Sequence, residues 1–193
     1  MAAGVSLKIL GIVCSPRSGG NTEILTRKAL ESAKTEGAEV EMWSIIGKDV
    51  KPCDHCGSCV KTRQCHIKDD MQALYPKLIE ADGIILGSPV YFWSVTAQTK
   101  LVIDRTYALR RPTNRLEGKV GGAIAVAGRR GQVEALTVIN NFFLGQGMTP
   151  TGLGVDGKGS EKGDIKEDER AMAGAAELGR RMVELIRRNT PRK

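Results

Sequence analysis

Short apolar segments alternate with segments of helical periodicity along this chain, and that alternation limits the folds open to it. Short apolar runs predict buried strands, whereas apolar residues three and four positions apart predict helices. Five strands are predicted, over residues 7–13, 40–46, 83–87, 120–126 and 148–155. Helices are predicted over residues 23–36, 69–81, 95–109, 133–144 and 167–188. Pro76 should kink or split the second helix, because its ring lacks the N–H group that a helix interior needs.

The order of these segments indicates how the sheet is built. Strands that alternate with helices form parallel sheets whose two faces are both covered. We therefore predict an α/β fold of the flavodoxin-like, doubly wound type, with five parallel strands and helices on both faces. The chain has 193 residues, of which 41% are apolar, so we assign residues 1–193 to one domain. Within it, a cysteine-rich insertion occupies about residues 47–68, and the C-terminal helix about residues 167–188.

Charge and composition argue against several classes of function. The net charge is +7, but the basic residues are spread through the chain, and aromatic residues make up only 4%. That is too few for a surface on which nucleic-acid bases stack, so we expect no nucleic-acid partner. No segment approaches the roughly 20 apolar residues of a membrane helix, and the first residues lack the features of a signal peptide. We expect a cytoplasmic protein with no membrane partner, in which thiols stay reduced.

Four cysteines form the compact pattern C-x2-C-x2-C-x5-C, at Cys53, Cys56, Cys59 and Cys65. Four thiolates in so short a run are typical of an iron–sulfur cluster, whereas zinc sites usually separate two C-x2-C pairs by a longer loop. We therefore interpret these cysteines as ligands of one iron–sulfur cluster. The alternatives are zinc, with His55 or His66 as a possible further ligand, and a redox-active dithiol or a vestigial site. Cys14 lies outside the pattern and is expected to be a buried core thiol.

Three polar loops follow predicted strands, over residues 15–22, 88–93 and 127–131. In doubly wound sheets, ligands bind beyond the carboxyl ends of the strands. The first loop leads into a helix, whose N-terminal amide groups and dipole favour an anion. Polar side chains of this loop can add hydrogen bonds, namely those of Ser15, Arg17, Ser18, Asn21 and Thr22. The loop has neither the lysine of a Walker loop nor the spacing of G-x-G-x-x-G. A plain turn with a helix cap is the alternative.

Four segments resemble the NADPH-dependent FMN reductase-like superfamily and, within it, the iron–sulfur flavoproteins. They are residues 11–22 (GIVCSPRSGGNT), the cysteine pattern with Asp69-Asp70-Met71 after it, residues 81–91 (ADGIILGSPVY) and residues 121–130 (GGAIAVAGRR). The resemblance covers most of residues 7–145. The cysteine pattern is its specific part, because the other segments are shared with plain flavin reductases.

The resemblance implies two cofactors, FMN in the three loops and one [4Fe–4S] cluster on Cys53, Cys56, Cys59 and Cys65. It implies that the FMN phosphate is bound by Ser15, Arg17, Ser18, Asn21 and Thr22. It further implies that the isoalloxazine ring is lined by Pro89, Val90, Tyr91 and Phe92 and edged on its other side by Ala127, Gly128 and Arg129. It also implies assembly into a homodimer or homotetramer.

Together these features predict a flavin-dependent oxidoreductase of the electron-transfer type. A ferredoxin-like one-electron donor would reduce the cluster, electrons would pass to FMN, and a small acceptor such as oxygen, peroxide or a quinone would take them up. The positive charge suits an acidic redox partner. No side chain is expected to act as a catalytic acid or base. Two alternatives stay open: an NAD(P)H-dependent FMN or quinone reductase with zinc or no metal at the cysteines, and a non-catalytic electron carrier or redox sensor.

Overall fold

A computed structural model describes residues 7–189 of the chain. Its strands are β1 (Lys8–Val13), β2 (Glu39–Ser44), β3 (Gly83–Tyr91), β4 (Ser94–Val95), β5 (Val120–Ala127), β6 (Thr149–Pro150) and β7 (Val155–Lys158). Its helices are α1 (Asn21–Thr35), α2 (Ser58–Thr62), α3 (Met71–Glu80), α4 (Ala97–Arg105), α5 (Tyr107–Arg110), α6 (Gln132–Gly145) and α7 (Glu169–Asn189), with a 3-10 helix at Asp164–Glu167. Among the described residues, no helix combines the length and the apolar character needed to cross a lipid bilayer.

The strands form one sheet in the order β2-β1-β3-β5, and both β6 and β7 pair with the far side of β5. These pairs are parallel, and the two-residue β4 runs antiparallel to β3. The chain therefore proceeds from β1 to β2 in one direction across the sheet and to β3 in the other. This switch in strand order is where a doubly wound sheet binds its ligand. The predicted α/β, flavodoxin-like fold is confirmed.

Each face of the sheet is covered by helices, and successive residues of a strand contribute to opposite cores. Ile84 and Leu86 of β3 belong to a core that also contains residues of α3, α4, α5 and α6. Ile85, between them, belongs to a core that contains residues of α1 and α7. Because both faces are buried, the central strands are apolar along nearly their whole length instead of alternating with polar residues.

β3 is longer than the sequence predicts. The apolar run ends at Gly87, but parallel pairing with β5 continues through Pro89, and the strand ends at Tyr91. The chain then reverses at Phe92 and Trp93, which have φ values of 47° and 63°, so that β4 pairs back onto β3. The predicted loop after Gly87 is therefore a strand end followed by a tight hairpin. Pairing with β5 extends the strand to Pro89, and pairing with β4 extends it to Tyr91. Val90 and Tyr91 are residue types that favour strands, and this is the local signal that the prediction of a loop overlooks.

The predicted fifth strand, residues 148–155, is interrupted. β6 and β7 both pair with β5, and the residues between them leave the ladder. Gly152 and Gly154 lie in this break with φ values of 132° and 110°. A Cβ atom on Gly154 would lie 2.6 Å from the carbonyl oxygen of Ala123, so glycine permits the chain to pass close to β5. From the sequence, residues 157–163 are predicted to form a polar, glycine-rich linker. β7 includes the first two of these residues, because it ends at Lys158.

Three further segments differ in detail from the prediction. Pro76 does not split α3, which continues past its exposed ring. The helix predicted over residues 95–109 is divided at Thr106 into α4 and α5. The hydroxyl group of Thr106 donates a hydrogen bond to the carbonyl oxygen of Ile103 at 2.6 Å. Local hydrogen bonds from side chains to the backbone compete with the backbone hydrogen bonds of a helix. The insertion, predicted to be irregular, contains the short helix α2, which carries Cys59.

Candidate functional site

A cleft of about 260 Å³ lies beyond the carboxyl ends of β1, β3 and β5. Its walls come from the three polar loops predicted from the sequence and from a fourth loop after β7. The lining residues are Ser15, Arg17, Gly20, Asn21, Thr22, Pro89, Val90, Tyr91, Val126, Gly128, Gly159 and Ser160. The cleft therefore coincides with the switch in strand order, where a doubly wound sheet is expected to bind its ligand.

Four of the residues that the resemblance assigns to FMN lie outside this lining: Ser18, Phe92, Ala127 and Arg129. Ser18 and Arg129 are exposed, Phe92 is fully exposed at the hairpin, and Ala127 is buried in β5. The other assigned residues do meet in the cleft. Their contacts with a flavin stay predictions, as do those of the four outside it.

The loop between β1 and α1 folds back on itself at the N-terminus of the helix. The hydroxyl oxygen of Ser15 accepts a hydrogen bond from the N–H group of Arg17 at 3.2 Å, and the carbonyl oxygen of Arg17 accepts one from Gly20 at 3.2 Å. Gly20 is the N-cap residue of α1 and has no side chain that could cap the helix. The helix dipole and the amide groups of the first turn therefore favour an anion at this end of the cleft.

The loop after β7 forms part of the cleft wall, although the sequence predicts only a linker there. Arg17 donates from Nη1 to the carbonyl oxygen of Ser160 at 2.9 Å. Asn21 donates from Nδ2 to the carbonyl oxygen of Glu161 at 2.7 Å and accepts at Oδ1 from the N–H group of Gly163 at 2.8 Å. Because both ends of its amide are engaged, Asn21 holds this loop in place. Contacts between residues so far apart in the chain leave no local signal in the sequence.

Hydroxyl groups behind the cleft form a buried network with Cys14. Thr99 donates to the hydroxyl oxygen of Ser88 at 2.8 Å, and Thr96 donates to the carbonyl oxygen of Cys14 at 3.1 Å. Burial raises the pKa of the Cys14 thiol to about 12, although a hydrogen bond with Thr99 opposes part of this rise. Cys14 therefore stays a neutral thiol at ordinary pH. The prediction of a buried core thiol is confirmed.

Three aromatic residues stand at the edge of the cleft on the hairpin between β3 and β4. Tyr91 lines the cleft and is 48% exposed, Phe92 is 100% exposed and Trp93 is 56% exposed. Trp43, in contrast, is buried in the core. From the sequence, both tryptophans are interpreted first as packing residues, with a place over the flavin or at a subunit contact as the alternative for Trp93. Packing is confirmed for Trp43, whereas the indole of Trp93 is largely on the surface.

The four cysteines of the insertion line a second cavity, of about 120 Å³. Cys59 is buried on α2, Cys65 is half-buried, and Cys53 and Cys56 are exposed. The backbone turns sharply between them, with positive φ at His55, Gly57 and Arg63. These turns allow four sulfur atoms from one short segment to reach the same cavity, and all five cysteines of the chain are free of disulfide bonds.

The sulfur atoms at this cavity interact electrostatically. Burial raises the pKa of the Cys59 thiol, and the charges of Cys65, Cys53 and Cys56 raise it further. Negative charge on the neighbouring sulfur atoms therefore disfavours a thiolate at Cys59 unless positive charge lies among them. A metal centre supplies such charge and requires its thiol ligands to be deprotonated. The donor set thus fits a metal or iron–sulfur centre.

A buried ion pair lies beside the cysteines. The side chains of Arg105 and Asp69 are fully buried, and the guanidinium group donates to both carboxylate oxygens. Asp69 also accepts the N–H groups of Lys51 and Met71, at 2.9 and 3.1 Å. Burial by itself would raise the pKa of Asp69, but the hydrogen bonds from Arg105 and Lys51 hold it below its usual value. The pair therefore connects Lys51 and Asp69, near the two ends of the insertion, to Arg105 at the end of α4.

Arg105 lies at the cysteine site although no role there was predicted for it from the sequence. One signal was available, because Arg105 lies three positions after Val102 and four before Leu109, both of which are buried. A charged residue on the apolar face of a helix needs a partner. The partner, Asp69, is 36 residues away, so the sequence could have marked Arg105 without identifying what it contacts.

Asp54, Cys56 and His66 offer ligand atoms that all lie within 4.8 Å of one another. Nε2 of His66 is 2.7 Å from Oδ2 of Asp54, and Oδ1 of Asp54 accepts the N–H group of Cys56 at 3.2 Å. A single ion such as zinc draws nitrogen, oxygen and sulfur ligands together in this manner, whereas a cluster uses four cysteine thiolates. The three side chains are exposed, and a hydrogen bond or ion pair also explains the contact of His66 with Asp54, so the cluster leaves zinc as an alternative.

The chain is similar to known proteins of one family. The chain matches the NADPH-dependent FMN reductase family over residues 7–155. It is 41% identical to an iron–sulfur flavoprotein of Methanocaldococcus jannaschii, over 94% of this chain and 98% of that protein. It is 37% identical to an iron–sulfur flavoprotein of Methanosarcina thermophila, over 95% of this chain and 98% of that protein.

A solved structure of similar fold is the Trp repressor binding protein from Bacillus subtilis, with a TM-score of 0.65 and 26% identity over 89% of this chain and 99% of that one. A flavodoxin from the domain Archaea superposes with a TM-score of 0.63 at 18% identity, over 94% of this chain and 99% of that one, which concerns the fold alone. By its match to the family and its identity to these relatives over nearly their full length, the chain belongs to the NADPH-dependent FMN reductase family and, within it, to the iron–sulfur flavoproteins, and it is a flavin-dependent oxidoreductase.

Proposed function

We propose that this protein takes electrons one at a time from a ferredoxin-like donor and delivers them to a small acceptor such as oxygen, peroxide or a quinone. FMN would occupy the cleft at the carboxyl end of the sheet, and a [4Fe–4S] cluster would occupy the cysteine cavity. The observation that carries the proposal is that one domain holds both sites, an anion-binding cleft at the strand switch and a cavity lined by four free cysteines. A cluster exchanges single electrons and a flavin one or two, so the pair would couple two kinds of redox partner.

The residues of the cleft divide into two groups by chemistry. Ser15, Arg17 and Thr22, with the amide groups at the start of α1, suit the FMN phosphate, because they are donors next to a positive helix end. Residues 89–91 and Gly128 suit the flavin ring, because they present apolar and aromatic surface and, at Gly128, a place without a side chain. Asn21 would contribute to FMN binding indirectly, because its amide holds the loop after β7 in the cleft wall.

The cysteine cavity offers the second cofactor four ligands, Cys53, Cys56, Cys59 and Cys65, of graded exposure. The exposed pair, Cys53 and Cys56, leaves one side of the centre accessible to a protein donor. The less exposed pair, Cys59 and Cys65, is held by α2 and by the hydrogen bond from Arg105 to Cys65. With a net charge of +7, the protein attracts acidic partners, which favours an acidic ferredoxin-like donor. We further infer a homodimer or homotetramer.

Cys59→Ala tests the proposal. Wild-type protein purified without oxygen should contain FMN, iron and acid-labile sulfide, and reduced ferredoxin or dithionite should bleach the cluster and flavin bands together. The variant should lose most of its iron and sulfide, keep its FMN, and reduce that FMN from ferredoxin at least tenfold more slowly. Chemical analysis and anaerobic visible spectra measure these quantities.

Val60→Ala is the matched control, because Val60 is the exposed neighbour of Cys59 on α2. It should retain iron, sulfide and the ferredoxin-driven rate. Unchanged reduction of FMN by ferredoxin in Cys59→Ala would contradict the proposed electron route.

A second candidate is an NAD(P)H-dependent FMN or quinone reductase with zinc at the insertion. The clustering of Asp54, Cys56 and His66 ligand atoms favours it, as does the NADPH dependence in the description of the matched family. Metal analysis separates the two candidates. Iron with labile sulfide supports the iron–sulfur flavoprotein, whereas zinc together with rapid NADPH oxidation supports the second.

A further inference from the structure

Arg105 places a permanent positive charge beside the cysteine cavity. It is the last residue of α4, its side chain is 0% exposed, and it lines the cavity that the four cysteines share. Arginine is almost never buried to this extent unless its charge is paired. Asp69 provides that pairing. The pairing by itself does not explain why the guanidinium group also reaches a cysteine.

The guanidinium group divides its donors among three partners. Nη1 donates to Asp69 and, at 2.8 Å, to the carbonyl oxygen of Lys51. Nη2 donates to Asp69 at 3.0 Å and to Sγ of Cys65 at 3.4 Å. A charged donor interacts most strongly with an acceptor that carries negative charge. The contact therefore places a charged donor on Sγ of Cys65, one of the four candidate ligands.

One donor of Arg105 is left over. Within residues 7–189, the buried Nε–H group has no hydrogen-bond partner. A buried N–H group without an acceptor is costly, and such groups are rare in native proteins. Because Arg105 lines the cysteine cavity, an acceptor held in that cavity would be close to this donor. The anionic sulfur atoms of a bound cluster are acceptors of the right chemistry.

Side chains of α3 hold both partners of this contact. The hydroxyl group of Tyr75 donates to the carbonyl oxygen of Arg105 at 3.1 Å. The amide of Gln72 donates to the carbonyl oxygen of Cys65 at 3.1 Å. The position of Arg105 relative to Cys65 is therefore set by the core and does not depend on a flexible surface contact.

We propose that Arg105 is a positioning residue of the metal centre, which holds Cys65 in place and donates hydrogen bonds to anionic sulfur there. The inference rests on the proposed function, since it requires a cluster at the four cysteines. Hydrogen bonds to sulfur and nearby charge set the reduction potential of such a centre. Reduction adds one electron from the ferredoxin-like donor, and Arg105 takes up no proton because it is always protonated. Its donors stabilise the added negative charge, so Arg105 raises the potential.

The test is the reduction potential of the cluster in Arg105→Met and Arg105→Lys, measured by anaerobic redox titration with electron paramagnetic resonance. In Arg105→Met, the ratio of reduced to oxidised cluster at a given applied potential should fall at least tenfold, which is about 59 mV for a one-electron couple. Arg105→Lys keeps the charge but loses the planar fork of donors, so its shift should be smaller. Iron and sulfide content is measured on the same samples.

Lys119→Met is the matched control. Lys119 is also a partly buried cation that donates to backbone carbonyl groups, those of Ile79 and Ala81, but it does not line the cysteine cavity. Its loss should lower the unfolding temperature and leave the cluster potential unchanged. An equal shift of potential in Lys119→Met would mean that general destabilisation, and not Arg105, moves the potential, and would overturn the inference.

Wild-type iron content together with a wild-type potential in both Arg105 variants would also overturn the inference. Where Arg105→Met fails to fold, Arg105→Lys decides by the same criterion. Loss of iron from a folded, FMN-containing Arg105→Met, with a lowered potential in Arg105→Lys, supports it. Wild-type protein that holds FMN but neither iron nor sulfide would instead overturn the proposed function, so the two failures are distinguishable.

Discussion

Cys14 and Cys59 are both buried, yet their surroundings assign them different chemistry. Cys14 lies among threonine and serine hydroxyl groups, and burial raises its pKa to about 12. Cys59 lies among three other thiols, whose charges add to the effect of burial on its pKa. A neutral thiol suits the first environment without help, whereas four thiolates in the second require a compensating cation. The same residue type thus serves the core at one position and a metal centre at the other.

Because of Cys14, the free energy of unfolding should fall as pH rises above about 9. The thiol has an ordinary pKa of 9.0 and a folded pKa of about 12. Between these values the unfolded chain has lost the proton and the folded protein keeps it, so rising pH favours unfolding, by at most about 1.4 kcal/mol per pH unit. Urea unfolding at several alkaline pH values should give a shallower slope for Cys14→Ala than for the wild type. Equal slopes would contradict this assignment.

Close packing of α1 against α7 depends on one glycine. A Cβ atom on Gly179 would lie 2.0 Å from the carbonyl oxygen of Ala29 and 3.0 Å from the backbone nitrogen of Ala33. The two helices therefore touch backbone to backbone at this point. At the C-terminal end of α1, Arg187 also donates to the carbonyl oxygen of Glu36 at 2.6 Å. α7 is thus held against α1 by close backbone packing at Gly179 and by the hydrogen bond of Arg187 near its C-terminal end.

Gly179→Ala should destabilise the protein by roughly 1–3 kcal/mol, because the helices must move apart to make room for a methyl group. Gly174→Ala, in the same helix, is the control. Its Cβ atom would lie 3.6 Å from the nearest atom, on Val155, so the higher helix propensity of alanine should stabilise the protein by up to about 1 kcal/mol. Chemical denaturation measures both. Similar stability of the two variants would show that the helix contact is looser than described.

On the scale of the whole molecule, the hairpin between β3 and β4 presents the most exposed aromatic surface of the described chain. Phe92 is 100% exposed and Trp93 56% exposed, beside the cleft proposed for FMN. Both hold left-handed backbone conformations, which bulky side chains adopt only at a cost. An exposed apolar surface of this kind is typical of an interface, and it accords with the proposed homodimer or homotetramer.

Phe92→Asn should shift the protein toward smaller species in light scattering. Asparagine tolerates the left-handed conformation, so the hairpin should keep its shape while the apolar contact is lost. Leu144→Asn is the control, because Leu144 is 61% exposed at the C-terminal end of α6, whereas the other end of that helix, at Gly131, lies beside Trp93. It should assemble as the wild type does. Unchanged assembly of Phe92→Asn would exclude the hairpin as the contact.

The features that the sequence predicted correctly are local in the chain. The alternation of apolar runs and helical periods identified the sheet and its covering helices, because strand and helix period depend on neighbouring residues. Ile84, Ile85 and Leu86, for example, form a short apolar run between two glycines, which is typical of a strand buried on both faces. The spacing of the cysteines likewise predicted their meeting at one cavity.

The features that the sequence did not predict depend on contacts between distant parts of the chain. β3 extends past Gly87 because it pairs with the backbone of β5 as far as Pro89 and with β4 at Val90 and Tyr91. Gly159 and Ser160 line the cleft because hydrogen bonds from Arg17 and Asn21 hold their loop. Arg105 acquires its role from Asp69 and Cys65, on segments that meet only when α4 packs against the insertion. Such contacts join residues far apart in the chain, so no local pattern records them, and they form only once the core has brought the segments together.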